Sequence, residues 1–134
     1  MFHALVISND APLVVKLVDV VSGMGGSARG PASSVEAGLS FLETETFDIV
    51  LHDVDMEGPA QNRIDRALAH KFIPVVMMSR YPPLYSAAAF PAYAHLRKPF
   101  DEAALETTLR SLLGLGGRAV VDPAEAVPSV AGKP

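Results

Sequence analysis

Carboxyl, hydroxyl and ammonium side chains stand just after the apolar runs of this sequence. The pair Asn9-Asp10, then Asp53, Ser79 and Lys98 follow such runs. Carboxylates, together with a backbone carbonyl and water, give Mg²⁺ the oxygen ligands that it requires. A carboxylate that lies between a metal and a lysine can accept a phosphoryl group, because both cations neutralise the phosphoryl oxygens. These residue types therefore indicate phosphoryl transfer to an aspartate, provided that the fold brings them together.

Short apolar runs alternate with amphipathic segments along the chain. Strands are expected at residues 4–8, 47–53, 73–78 and 94–96, with an edge strand near 27–30. Helices are expected at residues 12–24, 33–44, 61–70 and 101–113, with at most one short helix within 80–91. Strands that alternate with helices predict an α/β fold in which helices cover both faces of a parallel sheet. Ligands of such sheets bind beyond the carboxyl ends of the strands, which is where the polar residues stand.

Segment 4–113 resembles the receiver domain of bacterial two-component response regulators. The matching pieces are SNDAPLV after the first expected strand, DIVLHDVDMEG around the third, PVVMMS at the fourth and HLRKPF at the fifth. The resemblance implies a flavodoxin-like, doubly wound, five-stranded parallel sheet of strand order 2-1-3-4-5. In this chain the second strand is expected to be weak, and the fourth helix shortened or irregular. The receiver domain is expected at 1–115, followed by a flexible tail at 116–134.

The resemblance implies a magnesium cofactor and a phosphoacceptor. Asp53 matches the phosphoacceptor, and the implied ligands of Mg²⁺ are Asp10, Asp53 and the backbone carbonyl of Asp55. Asn9 replaces the first acid of the family's acid pair, so it is expected to contribute weakly and through a metal-bound water. Exchanging a charge-assisted for a neutral hydrogen bond loses about 1 kcal/mol, which predicts weakened Mg²⁺ binding. The structural alternative for Asp10 is an N-cap of the helix that starts near Pro12.

The resemblance also assigns a phosphoryl-contacting pair and a switch. Ser79 and Lys98 match residues that contact the phosphoryl group. Ser79 and His95 match the switch pair, with His95 in place of the usual Tyr or Phe; its imidazole is smaller and titrates near neutrality. The structural alternative for Asp53 and Lys98 is a buried ion pair in a fold that no longer signals. His52, inside an apolar run, is expected to be a core histidine with satisfied hydrogen bonds.

The implied function is that of a phosphoryl-accepting module in a two-component phosphorelay. A histidine kinase or a histidine phosphotransfer protein would be the donor, and phosphorylation would switch a surface within 80–113 for a downstream protein. Such a module is not an enzyme beyond slow autodephosphorylation, and whether it forms a homodimer is left open. Residues 81–96 carry no charged side chain, and four aromatic residues lie among them. This uncharged aromatic segment is the candidate partner surface.

Two alternatives remain. Asn9, Glu57 in place of the family's usual proline, and a stretch at 80–94 that is shorter than usual favour a pseudo-receiver, an adaptor that works without phosphorylation. A more remote alternative is a haloacid-dehalogenase-like phosphatase, because Asp53-Val54-Asp55 resembles the DxD motif of those enzymes. That motif normally follows the first strand, and its metal-binding acids come after the lysine. Here the acidic residue that the metal would need, Asp10, precedes Asp53 in the sequence.

The composition bounds the remaining function classes. The chain has 134 residues, of which 49% are hydrophobic and 19% charged, and it has no cysteine. The absence of cysteine excludes disulfides, thiol catalysis and Cys-based zinc sites, and is compatible with the expected cytoplasmic location. Its 15 acids against 11 Lys and Arg argue against nucleic acid as a partner. No apolar run approaches the roughly 18 residues that predict a membrane span.

Overall fold

The computed structural model describes residues 1–56, 61–80 and 93–114, except for the side chains of 61–63, 65 and 69. Three of the sequence predictions fall outside these residues. They concern Glu57, the fourth helix within 80–91 and the tail at 116–134. Most of the uncharged aromatic segment also lies outside the description.

Five parallel strands form one sheet. The strands are β1 (His3–Ile7), β2 (Ser27–Ala32), β3 (Ile49–Asp53), β4 (Val75–Ser79) and β5 (Tyr93–Arg97). The described helices are α1 (Ala11–Gly23), α2 (Val35–Thr44), α3 (Gln61–Lys71) and α4 (Glu102–Leu113). The strand order is β2-β1-β3-β4-β5, and every pairing is parallel. The predicted flavodoxin-like sheet is therefore confirmed, with element boundaries that differ from the predicted ones by a few residues at most.

Side-chain caps fix where three of the helices begin. Asp10, Ser34 and Asp101 are the N-caps of α1, α2 and α4, and each accepts a hydrogen bond from the backbone N–H three residues on. These bonds satisfy amides that the first helical turn leaves without partners. Helix α4 ends at Gly114, whose φ of +70° is the left-handed conformation that glycine adopts most easily. The caps therefore set the lengths of the loops that leave the carboxyl edge of the sheet.

Strand β2 lies at the edge of the sheet, where proline is tolerated. Its register against β1 shifts between Leu5 and Ile7, beside the Gly30-Pro31 pair. Gly30 has a φ of +108°, and a Cβ there would lie 2.8 Å from the carbonyl oxygen of Val6. Only glycine fits this close approach without a backbone shift. Most of β2 is exposed, which agrees with the weak strand expected from the sequence.

Alternate side chains of the strands build one apolar layer on each face of the sheet. Leu5 and Ile7 pack on the face covered by α2 and α3, with Met77 and Leu68. The opposite layer contains the remaining buried apolar side chains of the central strands, together with those of α1 and α4, including Leu17, Leu51 and Leu109. Burial of both layers positions the strand ends rigidly at one edge of the sheet.

Within the described ranges, no helix combines the length and the apolar character needed to cross a bilayer.

Candidate functional site

The carboxyl edge of the sheet brings together residues that are far apart in the sequence. Ile7 lies beside His52 in the β1–β3 register, so the next residues, Ser8 and Asp53, meet at the strand ends. A pocket of about 630 Å³ opens there. It is lined by Asn9, Asp10, Asp53, Asp55, Arg80, Lys98 and Pro99. Every predicted phosphoacceptor and metal-binding residue therefore borders one pocket, together with the predicted lysine.

Asp53 is the most buried acid of this pocket. It ends β3 with only 2% of its surface exposed. One carboxylate oxygen, Oδ1, accepts hydrogen bonds from Lys98 Nζ at 2.7 Å and from the backbone N–H of Asp55 at 3.1 Å. The other oxygen, Oδ2, accepts from the Ser8 hydroxyl at 2.8 Å. These three donors offset the cost of burying a carboxylate.

Lys98 connects two carboxylates. Its Nζ lies 2.7 Å from Asp53 Oδ1 and 3.1 Å from Asp55 Oδ2. Partial burial by itself would lower the pKa of Lys98, but the hydrogen bonds and negative charges of Asp53 and Asp55 outweigh burial and raise that pKa above its ordinary value. The ammonium is therefore charged at neutral pH. It is placed to neutralise negative charge that accumulates near Asp53.

Asp55 contributes its side chain as well as its backbone, which the sequence did not predict. Its Oδ2 accepts a hydrogen bond from the backbone N–H of Arg80 at 3.0 Å and lies 3.5 Å from Arg80 Nε. Arg80 also lines the pocket. The signal in the sequence was an acid two residues after Asp53 and a base directly after Ser79. The two residues form a pair only because β3 and β4 are neighbours in the sheet.

The predicted switch residues are in contact. Ser79 Oγ lies 2.8 Å from His95 Nε2, and both residues are buried on the neighbouring strands β4 and β5. Burial lowers the pKa of His95, the charge of Arg97 lowers it further, and the charge of Asp55 opposes the shift. The imidazole is therefore neutral at pH 7 and can either donate to or accept from the hydroxyl. The two predicted switch residues are linked by this bond.

Asp10 and Asn9 occupy the rim of the pocket. Both are exposed, and Asp10 Oδ1 accepts a hydrogen bond from the backbone N–H of Leu13 at 3.3 Å as the N-cap of α1. The structural alternative considered for Asp10 is thus present. The residue of this loop that touches Asp53 is Ser8, whose role the sequence did not predict. A serine at the end of an apolar run carries no charge that would mark it as a site residue.

The oxygen atoms of the pocket fit Mg²⁺ by type, because hard cations prefer carboxylate and carbonyl oxygen. No group of three or more His, Asp or Glu side chains in the described ranges is arranged to hold a metal ion. A site built on Asp10, Asp53 and the Asp55 carbonyl would offer only two carboxylates. It would therefore depend on water for its remaining ligands, as Mg²⁺ sites commonly do.

His52 lies next to Asp53 in sequence but is buried. It is 1% exposed, and its Nδ1 has no hydrogen-bond partner. Burial lowers its pKa to about 4, while the charge of Asp53 opposes that shift. The prediction of a core histidine is correct, but the prediction that its hydrogen bonds are satisfied is wrong for this nitrogen. In the sheet His52 is flanked by Ile7 of β1 and Met77 of β4, and neither side chain offers a polar partner to Nδ1.

Solved structures of receiver domains are similar to this chain over most of its length. A response regulator receiver protein from Burkholderia phymatum is 26% identical, with a TM-score of 0.73, over 86% of this chain and 97% of its own. A chemotaxis response regulator of Vibrio cholerae is 20% identical, with a TM-score of 0.71, over 84% of this chain and 99% of its own. A response regulator of Thermotoga maritima, solved in complex with Mg²⁺-BeF, is 19% identical, with a TM-score of 0.70, over 84% of this chain and 100% of its own. No family model and no curated protein matches the chain.

Proposed function

We propose that this chain, whose fold is that of response regulator receiver domains, is a signalling module that accepts a phosphoryl group on Asp53. The observation that carries the proposal is the buried Asp53 carboxylate with Lys98 Nζ 2.7 Å away, at the carboxyl edge of the sheet and beside an open pocket. A carboxylate so placed is reachable by a donor, and a cation stands where phosphoryl charge would arrive.

The reaction is a phosphoryl transfer from a phosphohistidine. An oxygen of Asp53 forms the new O–P bond while the P–N bond of the donor breaks, and the electron pair of that bond stays on the imidazole nitrogen. The Lys98 ammonium, which pairs with the Asp53 carboxylate before the reaction, then pairs with the oxygens of the incoming phosphoryl group and neutralises their charge. Asp55 holds the same ammonium at 3.1 Å and so keeps it in the pocket while Asp53 reacts.

The cofactor in this proposal is Mg²⁺. When bound, it would neutralise negative charge on the phosphoryl oxygens. Asp10, Asp53 and the backbone carbonyl of Asp55 would hold it, and Asn9 would contribute through a water. Asp10 can cap α1 and bind the metal at the same time, because the cap bond uses only one of its carboxylate oxygens, Oδ1. A neighbour of similar fold was solved in complex with Mg²⁺-BeF, which supports divalent metal use by proteins of this fold.

The output step is assigned to Ser79 and His95. An acyl phosphate on Asp53 attracts the Ser79 hydroxyl, which at present contacts His95 Nε2 at 2.8 Å. If the Ser79 hydroxyl turns to hydrogen-bond the phosphoryl group, its bond to the buried His95 imidazole breaks, which would change the surface at β5. The partners proposed are a histidine kinase or histidine phosphotransfer protein as donor, and a downstream protein that binds within 80–113.

A second candidate is a pseudo-receiver that binds partners without phosphorylation. The Asp53 carboxylate already receives three hydrogen bonds from the protein, and Asp10 already caps α1. A site completed in this way needs no metal to be stable. The phosphatase alternative gains no comparable support, because Asp53 ends the third strand of the sheet and not the first.

Phosphorylation by a small donor separates these candidates. The protein would be incubated with phosphoramidate, with and without Mg²⁺, and the intact mass recorded before the acyl phosphate hydrolyses. We expect one added phosphoryl group that depends on Mg²⁺ and is lost in the Asp53→Asn variant. An unmodified mass at every Mg²⁺ concentration, with folded protein, would favour the pseudo-receiver. A modification that persists in Asp53→Asn would contradict the assignment of the phosphoacceptor.

A further inference from the structure

We propose that Ser8 is a positioning residue for the phosphoacceptor. Its hydroxyl holds Oδ2 of Asp53 while Lys98 and the Asp55 amide hold Oδ1, so that the carboxylate keeps one orientation. The catalytic part of this inference rests on the proposed function of Asp53; the positioning part rests on the hydrogen bonds alone. Nothing in the sequence pattern marks Ser8 for such a role.

The direction of the Ser8 hydrogen bond follows from its surroundings. Ser8 is fully buried, and its Oγ lies 2.8 Å from Asp53 Oδ2. The same Oγ accepts a hydrogen bond from the backbone N–H of Asp10 at 3.1 Å. An ionised carboxylate can only accept, so the hydroxyl proton points to Asp53 while an oxygen lone pair faces Asp10. These two bonds fix the orientation of the Ser8 hydroxyl, which donates a charge-assisted hydrogen bond to the carboxylate.

The two carboxylate oxygens of Asp53 are held from different strands. Oδ1 is bound by Lys98, which follows β5, and by the amide of Asp55, which follows β3. Oδ2 is bound from β1 through Ser8. A carboxylate held at only one oxygen can rotate about its Cβ–Cγ bond, whereas one held at both cannot. Ser8 therefore supplies the second of the two restraints that define the plane of the reacting group.

The restraint matters for transfer because reaction requires one oxygen to face the donor. Oδ1 lies beside the ammonium that the phosphoryl oxygens need, so Oδ1 forms the O–P bond as the P–N bond of the donor breaks. The leaving imidazole nitrogen keeps the electron pair. Oδ2 then becomes the carbonyl oxygen of the acyl phosphate, which still accepts from Ser8. The hydroxyl therefore holds the same oxygen before and after transfer, and its contribution is orientation.

The kinetic test compares Ser8→Ala, which removes the donor, with Ser8→Thr, which retains a hydroxyl. Ser34→Ala is the matched control, because it also removes a serine hydrogen bond, at the α2 cap, and Ser34 is not among the residues that line the pocket. With saturating phosphoramidate and Mg²⁺, we expect Ser8→Ala to be phosphorylated about tenfold more slowly, a loss in the range of a hydrogen bond to a charged group. Ser8→Thr should recover most of the rate, and Ser34→Ala should not change it. An unchanged or faster rate in Ser8→Ala would overturn the catalytic part of the inference.

A second measurement does not require phosphorylation. Hydrogen exchange of the Asp55 amide reports on its bond to Asp53 Oδ1, which Ser8 does not touch. If Ser8 fixes the carboxylate, exchange at Asp55 should be severalfold faster in Ser8→Ala and unchanged in Ser34→Ala. Faster exchange at Asp10 alone, whose amide bonds directly to Ser8, would show a local structural role and refute positioning. Should the parent protein resist phosphorylation, the proposed function fails, while this exchange result still decides the role of Ser8.

Discussion

Acid should destabilise this protein through His52, a residue that plays no part in the proposed chemistry. Burial lowers its pKa from the ordinary value of 6.5 to about 4 in the folded state. Between these two pH values the unfolded chain binds a proton at this site and the folded chain does not. Because protons bind preferentially to the unfolded state, the free energy of unfolding falls as the pH drops through this window. This loss of stability is absent above pH 6.5 and reaches its full size at about pH 4.

The magnitude follows from the size of the pKa change. Each pH unit between the two pKa values contributes about 1.4 kcal/mol, so the full window corresponds to about 3 kcal/mol. A domain of this size is stable by roughly 5–15 kcal/mol, so the change is readily measured. At pH 7 the unpartnered Nδ1 also carries the cost of a buried polar atom. Replacing His52 by leucine should therefore leave stability at pH 7 equal or greater.

Urea unfolding of the parent and of His52→Leu, at several pH values from 7 to 4.5, measures both effects. The difference in unfolding free energy between the two proteins should shift by about 2 kcal/mol in favour of the variant as the pH falls. The comparison cancels the contribution of His95, whose lowered pKa acts in the same direction in both proteins. Parallel pH profiles for the two proteins, or an NMR titration of His52 centred near 6.5, would refute the reasoning.

Three further perturbations test the packing and the site. Gly30→Ala should lower the free energy of unfolding by about 2 kcal/mol, because the added Cβ would clash with the Val6 carbonyl oxygen. Gly25 also has a positive φ but lies in open space, so Gly25→Ala should lower it by only about 1 kcal/mol. Equal losses in denaturant unfolding would contradict this reasoning. Asp101→Ala should cost about 1 kcal/mol through loss of the α4 cap, seen as a lower urea midpoint, and an unchanged midpoint would argue against it. Lys98→Met should cost about 2 kcal/mol, because the buried Asp53 carboxylate loses its ammonium partner, and it should cost less in an Asp53→Asn background. Additive effects in that double-mutant cycle would rule out the pairing.

The fold was largely predictable, because buried parallel strands read as uninterrupted apolar runs. The runs before Asp53 and Ser79 predicted β3 and β4 to within two residues at each end, and the helices expected at 33–44 and 101–113 begin within two residues of their predicted starts. Strand β2 was the weakest prediction because Pro31 and few apolar residues leave no periodic signal. It forms because the β1 edge supplies backbone partners and Gly30 allows the close approach.

The candidate site was predictable where charge marked it, and not where it depended on register. Residue types alone pointed to Asp53 and Lys98, which the structure brings to 2.7 Å. The contact of Ser8 with Asp53 depends on the β1–β3 register, and the ion pair of Asp55 with Arg80 depends on adjacent strand ends. Neither pairing can be read from the local sequence alone, because each joins residues at or just beyond the ends of different strands. Contacts of this kind can be identified only when the order and register of the strands are known.

The proposed acceptor role of Asp53 is tested most directly with a phosphoryl mimic. Beryllofluoride with Mg²⁺ would be added to the ¹⁵N-labelled protein, and amide spectra compared with those of Asp53→Asn. The proposal predicts large saturable shifts at Asp55 and Lys98, which bond to the Asp53 carboxylate, and at Ser79, which ends the neighbouring strand β4. None of these shifts should appear in the variant. Spectra that stay unchanged with Mg²⁺ and beryllofluoride in excess, or that shift equally in Asp53→Asn, would contradict it.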